Sequence, residues 1–476
     1  MAPTICAALF VIASAKVDKI FLSANFFKEK FYFFTIFVPG TRKYLFIYSY
    51  KVMNFAQIDA LLRREVVPAI GCTEPIAVSL CVAKACETLG VLPQRIVVAL
   101  SPNIYKNAMG VGIPNTGMIG LPIAVALGAV AGRSEYELEV LKDADSAAVE
   151  RAKGYLESAD IKIDIDRQTT QMLYICVEVF AGEDSAKAVI AGTHTTFVEV
   201  SRNGEVQLSS QGAGEQGSTE SADEQLTMRD VYRYATEVEL EQIEWLREAE
   251  RMNIAAAEVS FTGSYGHGLG RLMHTTAKQS IFGDTLFTKI LSYTSGACDA
   301  RMSGAMVPVM SNSGSGNQGI SATVPVVVFG RERGVDEDKL LRALALSHLT
   351  VVYIKQSLGR LSALCGCVVA ATGSSCGITY LMGGEFREVC FAVKNMVANL
   401  TGMICDGAKP SCSLKVTSGV STAVLSAVLA IEQRHTTSLE GIIDDDVDKC
   451  IANLTNIGRN GMRETDKLIL EIMTNK

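Results

Sequence analysis

No C-x-x-C pair occurs in this chain, although it carries 13 cysteines. The usual signature of a structural zinc site is therefore missing. Positive charge is short as well: 44 Lys and Arg stand against 51 Asp and Glu, a formal net charge of −7. Such a balance does not attract a polyanion, which argues against a nucleic-acid partner. No Walker motif is found, and the G-x-G-x-x-G spacing of Gly314, Gly316 and Gly319 is by itself a weak signal, so a nucleotide is not implied. No short-period repeat is visible, and no long apolar span is flanked by lysine or arginine in the manner of a membrane protein. The stretch 362–382 has no charged residue, but its cysteines, glycines, serines and threonines suit a packed core helix lining a site.

Acidic residues are also scarce at the start. Residues 1–50 hold nine of the 18 Phe and only two acids, Asp18 and Glu29. The apolar run 5–15 is too short to span a bilayer. It resembles a signal-peptide core, yet no positive side chain precedes it. Met53 then opens a sequence typical of a first helix. The expected reading is a spurious or unstructured extension over 1–52 and a working chain from Met53; a signal or anchor peptide is the alternative.

The chain has 476 residues, enough for two or three domains and a sizeable core. Disulfide scaffolds are short and secreted, whereas this chain is long and its cysteine count is odd. The expectation is a reducing cytoplasm, with Cys81, Cys86, Cys176 and Cys390 acting as small core hydrophobes.

Hydrophobic spacing predicts a helix over 55–67 ended by Pro68, a second helix to Leu89 stopped by Gly90, and a strand over 95–100. A Gly/Ala-rich segment at 116–132 reads as a buried helix in tight contact with its neighbours. From 161 to 208 the period changes to two, giving strands of an antiparallel sheet near 161–165, 172–180 and 195–200. The Ser/Gly/Gln-rich stretch 209–218 reads as a linker. Beyond it the pattern is helical: 231–252 with the only Trp, Trp245, then 336–356, 362–382, 385–400 and 413–432. The fold class is α+β, with a 53–220 mixed domain carrying an antiparallel sheet and a mainly helical 221–476 domain.

Three cysteines near the C-terminus draw attention: Cys365, Cys405 and Cys412. Cys405 and Cys412 flank a turn containing Gly407 and Pro410, which can fold two thiolates onto one metal centre. Cys365 starts the uncharged helix, and Cys367 is a competing ligand. Three thiolates can hold an iron–sulfur cluster and leave one iron open as a Lewis acid; tetrahedral zinc is the chemical rival. Cys72 lies in Gly71-Cys72-Thr73-Glu74-Pro75. Thr73 as a cap and Pro75 in the first turn place Cys72 at a helix N-terminus, where the dipole favours a thiolate able to act as base or nucleophile. The plain alternative is a buried cysteine before a helix. The loop from Ser311 to Gly319, with Ser313 and Asn317, can form a nest of N–H groups for an anion such as a substrate carboxylate; otherwise it is a connector. Lys106, beside Asn107, can pair with a carboxylate or lie exposed. His267 and His194 show no partner in the sequence and are not assigned a role.

These residues together resemble the L-cysteine desulfidase family, which is related to the alpha part of iron–sulfur L-serine dehydratases. The resemblance rests on Gly71–Pro75, the Ser-Gly-Ser-Gly-Asn-Gln-Gly loop, Cys365-Gly366-Cys367 and Cys405 to Cys412, and runs from about Met53 to the end. It implies a [4Fe-4S] enzyme, independent of pyridoxal phosphate, that converts L-cysteine to pyruvate, ammonia and hydrogen sulfide. It also implies Cys72 as the base and Cys365, Cys405 and Cys412 as cluster ligands, with Cys367 the alternative to Cys365. Lys106, Asn107, Ser313 and Asn317 are the candidate substrate-binding residues. The rivals are the same chemistry on L-serine or another β-substituted amino acid, and a non-catalytic metal-binding protein. A homo-oligomer is the prior for the assembly.

Overall fold

The computed structural model describes residues 53–209, 225–276, 281–359 and 362–475, and three strands before them. Those strands, β1 (Phe21–Ala24), β2 (Phe34–Phe37) and β3 (Tyr44–Ile47), form an antiparallel sheet in order β1-β2-β3 within a unit covering Met1–Asn54. The rest of residues 1–52, and with it most of the expected extension, lies outside the described residues, as does 210–224, which holds the expected linker except Ser209, the last residue of a strand.

Phe55–Lys476 is a second compact unit, and it contains both segments expected as domains. Helix Phe55–Glu65 buries Ile58, Leu61 and Leu62, as its spacing predicts. It stops before β4 (Pro68–Ile70), because proline disfavours helix in the residue ahead of it. Helix Thr73–Leu89 ends where Gly90 takes φ +86°. Its apolar surface is buried almost all round, so it forms the core of the first half. It packs on helix Leu121–Ala131 and on a six-stranded sheet, and Ser79 Oγ donates to Ala124 O at 2.8 Å across the helix pair. The predicted 116–132 helix is shorter at its start, because Gly117 and Gly120 hold positive φ there.

The six-stranded sheet is built from β5 (Arg95–Leu100), β6 (Asp160–Ile165), β7 (Tyr174–Ala181), β8 (Asp184–Ala191), β9 (Phe197–Arg202) and β10 (Glu205–Ser209). Its order is β10-β9-β8-β7-β5-β6. The expected antiparallel sheet is present in β5 and β7 to β10, but β5 and β6 pair in parallel, so the sheet is mixed. The helices Pro102–Ala108, Leu121–Ala131 and Ser146–Ser158 supply the crossover that a parallel pair needs. Alternation puts Ile96, Val98, Leu100, Ile175, Val177 and Val179 in the core, each contributing roughly 1.5–3 kcal/mol of burial.

The second half is helical. The predicted 231–252 helix is interrupted: Val238 is extended (ψ 148°), separating Met228–Glu237 from Leu240–Ile243 and Arg247–Thr262. Helices Gly316–Glu332, Glu337–Leu358, Phe386–Leu400 and Cys412–Ile431 pack on Gly366–Leu381, and Leu286–Met302 packs on Gly316–Glu332 and Cys412–Ile431; most residues of the uncharged helix Gly366–Leu381 are inside the protein. Among the described residues one helix, Cys412–Ile431, is long and apolar enough to cross a membrane; one face of it packs against Gly366–Leu381. β11 (Pro308–Met310) pairs antiparallel with β4, Pro308 opposite Ile70. Tyr234 Oη donates to Asp59 Oδ1 at 3.0 Å. These contacts join the first helix and strand to the helical half and bring the Cys72 motif against the Ser311 loop.

Candidate active site

Four helix N-termini line one cavity of about 110 Å³. They belong to Thr73–Leu89, Gly316–Glu332, Gly366–Leu381 and Cys412–Ile431. Each N-terminus carries roughly half a positive charge in its unpaired N–H groups, so this part of the wall suits an anion.

Cys72 is the N-cap of its helix, and Thr73 is the first helical residue rather than the cap. The Thr73 hydroxyl donates to Gly314 O at 3.3 Å, which ties this motif to the Ser311 loop. The Cys72 thiol donates to Glu74 Oε2 at 3.3 Å, while Glu74 Oε1 accepts from Asn107 Nδ2 at 3.1 Å. The expected drop in the Cys72 pKa is not found. Burial pushes it well up, the Glu74 charge pushes further, and the nearby Arg301 guanidinium opposes both. Desolvation of a side chain that is 3% exposed outweighs the partial charge of the helix end.

A short backbone pairing brings the late cysteines together. Leu364 bridges Ile404 antiparallel, Cys365 N–H donates to Met403 O at 3.0 Å, and Cys405 N–H donates to Ala363 O at 2.6 Å. Cys365 then caps Gly366–Leu381, and Cys412 is the first residue of its helix. The intervening turn is clasped by Asp406, which pairs with Lys409 at 2.8 Å and with Lys415. Gly407 sits at φ +89° with its Cα against the backbone of Lys106; a Cβ would overlap Lys106 O. Cys365, Cys367, Cys405 and Cys412 all line the cavity. The Cys365 thiol is held down to about 7, chiefly by a hydrogen bond with Cys367, whose own value rises. Burial raises Cys405, and pushes Cys412 up to about 11. Among the described residues, no three His, Cys, Asp or Glu side chains converge as ligands of a single ion. The twelve described cysteines are all free; Cys81 is buried, and Cys86, Cys176 and Cys390 are half-buried.

The four candidate substrate-binding residues line the same cavity, each with a protein partner. Lys106 is paired with Asp466 of the C-terminal helix Arg463–Thr474, Asn107 with Glu74, Ser313 with Asn312 Oδ1 at 2.8 Å and Asn317 with Arg301 at 3.1 Å. Only the first part of the Ser311 loop is a loop. Ser313 (φ +48°) and Gly314 (φ +78°) turn the chain, and helix begins at Gly316. His348 braces this turn from inside: Asn312 Nδ2 lies 3.0 Å from Nδ1, and Thr323 Oγ1 lies 3.0 Å from Nε2. Because the Thr323 hydroxyl already donates to Gly319 O, Nε2 carries the proton and Nδ1 accepts.

Glu74, Arg301, Gln318, Lys355 and His194 also line the cavity without having been singled out in the sequence for a role there. Glu74 stood inside a motif that was noticed, two residues from Cys72. Arg301 stands near the end of helix Leu286–Met302 and carries no local signal; it is 4% exposed.

The model of the serine dehydratase alpha chain family matches residues 135–471. A UPF0597 protein of Bacteroides fragilis is 63% identical over 421 residues, covering 88% of this chain and 98% of the relative. UPF0597 proteins of Porphyromonas gingivalis and Aeromonas hydrophila are 52% and 43% identical, covering 88% and 87% of this chain and 98% and 95% of the relatives. The family match takes in Arg301 and all the late cysteines, and by its extent along the sequence this chain belongs to the serine dehydratase alpha chain family.

Proposed function

We propose that this protein is an iron–sulfur lyase of a reducing cytoplasm that eliminates the β-substituent of a small α-amino acid, with L-cysteine as the preferred substrate and pyruvate, ammonia and hydrogen sulfide as products. The observation that carries the reading is the Cys72–Glu74 pair sharing one cavity with Cys365, Cys405 and Cys412. The donor set suits a cluster better than a single zinc ion. In a cluster each thiolate binds a different iron, so the thiols ring a cavity instead of meeting at a point. The helix N-termini offset the negative charge of such a group. When bound by Cys365, Cys405 and Cys412, a [4Fe-4S] cluster supplies an electrophilic iron that makes the β-group a better leaving group.

The remaining steps belong to the chain's own side chains. Glu74 accepts the Cys72 thiol proton through the contact already made, and the thiolate so formed is a strong base because burial disfavours it. It takes the substrate's α-proton; the C–H electron pair becomes the Cα–Cβ double bond, and the β-group leaves with its bonding electrons. The enamine tautomerises and is hydrolysed to pyruvate and ammonia. Ser313 and Asn317, at the turn and helix start, orient the substrate's carboxylate end, and Lys106 and Asn107 hold the opposite wall through Asp466 and Glu74.

The test is to purify the protein without oxygen, record its visible spectrum, and measure sulfide and pyruvate from L-cysteine beside pyruvate from L-serine. A brown protein producing sulfide and pyruvate in equal amounts supports the reading. Turnover of L-serine alone moves the substrate to the hydroxy amino acid, and a colourless, zinc-loaded, inactive protein removes the lyase reading.

A further inference from the structure

Arg301 is a buried guanidinium without a carboxylate partner among the described residues. Its Nη1 donates to Asn317 Oδ1 at 3.1 Å, and its Nε has no hydrogen-bond acceptor. An uncompensated buried cation costs several kcal/mol, so a side chain kept this way calls for an anion from outside. The surroundings are shaped for the arginine. Gly316 opens the helix Gly316–Glu332, and a Cβ there would overlap Arg301 Nε and Cζ, so only glycine lets the guanidinium lie across the first turn. Ser315, the N-cap, makes no side-chain cap bond to the first N–H groups of this 17-residue helix, and Ser315, Asn317 and Gln318 line the cavity. Gln318 Oε1, on the same turn, is also buried without a donor.

We propose that Arg301 and the N-terminus of helix Gly316–Glu332 form a clamp for a single carboxylate, which restricts the substrate to a free α-carboxylic acid. The guanidinium fork matches the two oxygens of a carboxylate, and the helix N–H groups add further donors. One unpaired positive side chain suits one negative charge. A phosphate dianion would bring excess charge close to Glu74. The identity of the acid as an α-amino acid rests on the lyase reading; the clamp does not.

The test uses L-alanine, which has the carboxylate and amine but no leaving group, and L-alaninamide, which lacks the charge. Binding of each to the full-length protein is measured by calorimetry without oxygen, for wild type, R301Q, R301K and G316A. Wild type is expected to bind L-alanine and to bind the amide about 30-fold more weakly or worse, the scale of a lost charged hydrogen-bond pair. R301Q should lose about the same factor for L-alanine and stop discriminating, R301K should recover part of it, and G316A should weaken binding with the arginine still present. R301Q should also melt no lower than wild type, because it removes a buried unpaired charge, whereas a structural arginine would leave the variant less stable. Equal binding of acid and amide by wild type, no L-alanine binding by wild type, unchanged L-alanine binding in R301Q, or a lower melting temperature in R301Q each overturns the clamp. If the clamp holds but neither L-cysteine nor L-serine gives pyruvate, the lyase reading fails alone; if turnover is present and R301Q leaves its KM unchanged, the clamp fails alone.

Discussion

Cys72 is held where burial and the Glu74 charge oppose its ionisation, so its use as a base requires a neighbour that takes the thiol proton. Glu74 is within hydrogen-bond reach and is itself fixed by Asn107. E74Q keeps the size of the side chain and removes the acceptor charge. It is expected to lower kcat by about 100-fold, at the lower end of what general-base assistance supplies, with the visible spectrum unchanged; an unaffected kcat would take Glu74 out of the mechanism. The cysteines divide the same way. C405S or C412S is expected to bleach the protein, and C367S to leave its colour, as read by visible absorption. A bleached C367S beside a coloured C365S would transfer the ligand role to Cys367. At this scale much was legible in the sequence, because thiols are rare, chemically distinctive and set among glycines and prolines. Arg301 was not legible: an arginine three residues after a cysteine inside a helix looks the same whether it faces solvent or a cavity, and only tertiary packing decides it.

At the scale of elements, the cavity is made by helix starts and by the few contacts that hold them. Helix boundaries with a glycine or proline stop, such as Gly90, were readable from local chemistry. The start of Gly316–Glu332 was not, because its first turn is composed of glycine, asparagine and glutamine, residues equally suited to a loop. Strand Asp184–Ala191 was hidden for a related reason, its alanines giving little alternation against the flanking strands. Gly407 holds the thiol-bearing turn against the backbone of Lys106. G407A is expected to cost about 3 kcal/mol by denaturant titration, from the left-handed backbone and the overlap together; unchanged stability would mean that the turn has room to shift. His348 supports the neighbouring turn in its neutral form, and burial lowers its pKa from 6.5 to about 4. The folded state therefore resists the proton that the unfolded chain accepts. Stability from this group is fully present above about pH 6.5, falls as pH drops toward 4, and is then lost by about 3 kcal/mol. Unfolding free energies of wild type and H348Q between pH 7 and 4 should accordingly converge toward acid pH. A constant difference would show that His348 does not titrate in this range.

At the scale of the whole molecule, the first half supplies the proposed base and the second half supplies the thiols and the anion-facing helix start. The α+β class was legible because period-two and period-3.6 segments separate cleanly along the chain. The joining was not: the pairing of β4 with β11, the contact of Lys106 with Asp466 near the other end of the chain, and the meeting of segments 363–365 and 403–405 are long-range events with no local pattern. Their consequence is that the proposed base and the proposed cluster ligands come from parts of the chain 293 residues apart or more, counting from Cys72 to Cys365, and yet line one cavity. The measurement that tests this division most directly is the visible spectrum and pyruvate production of Cys72→Ser, purified without oxygen beside wild type. The account predicts a variant as brown as wild type with turnover reduced to background. A colourless variant would make Cys72 a ligand, and a brown variant with undiminished turnover would remove it as the base.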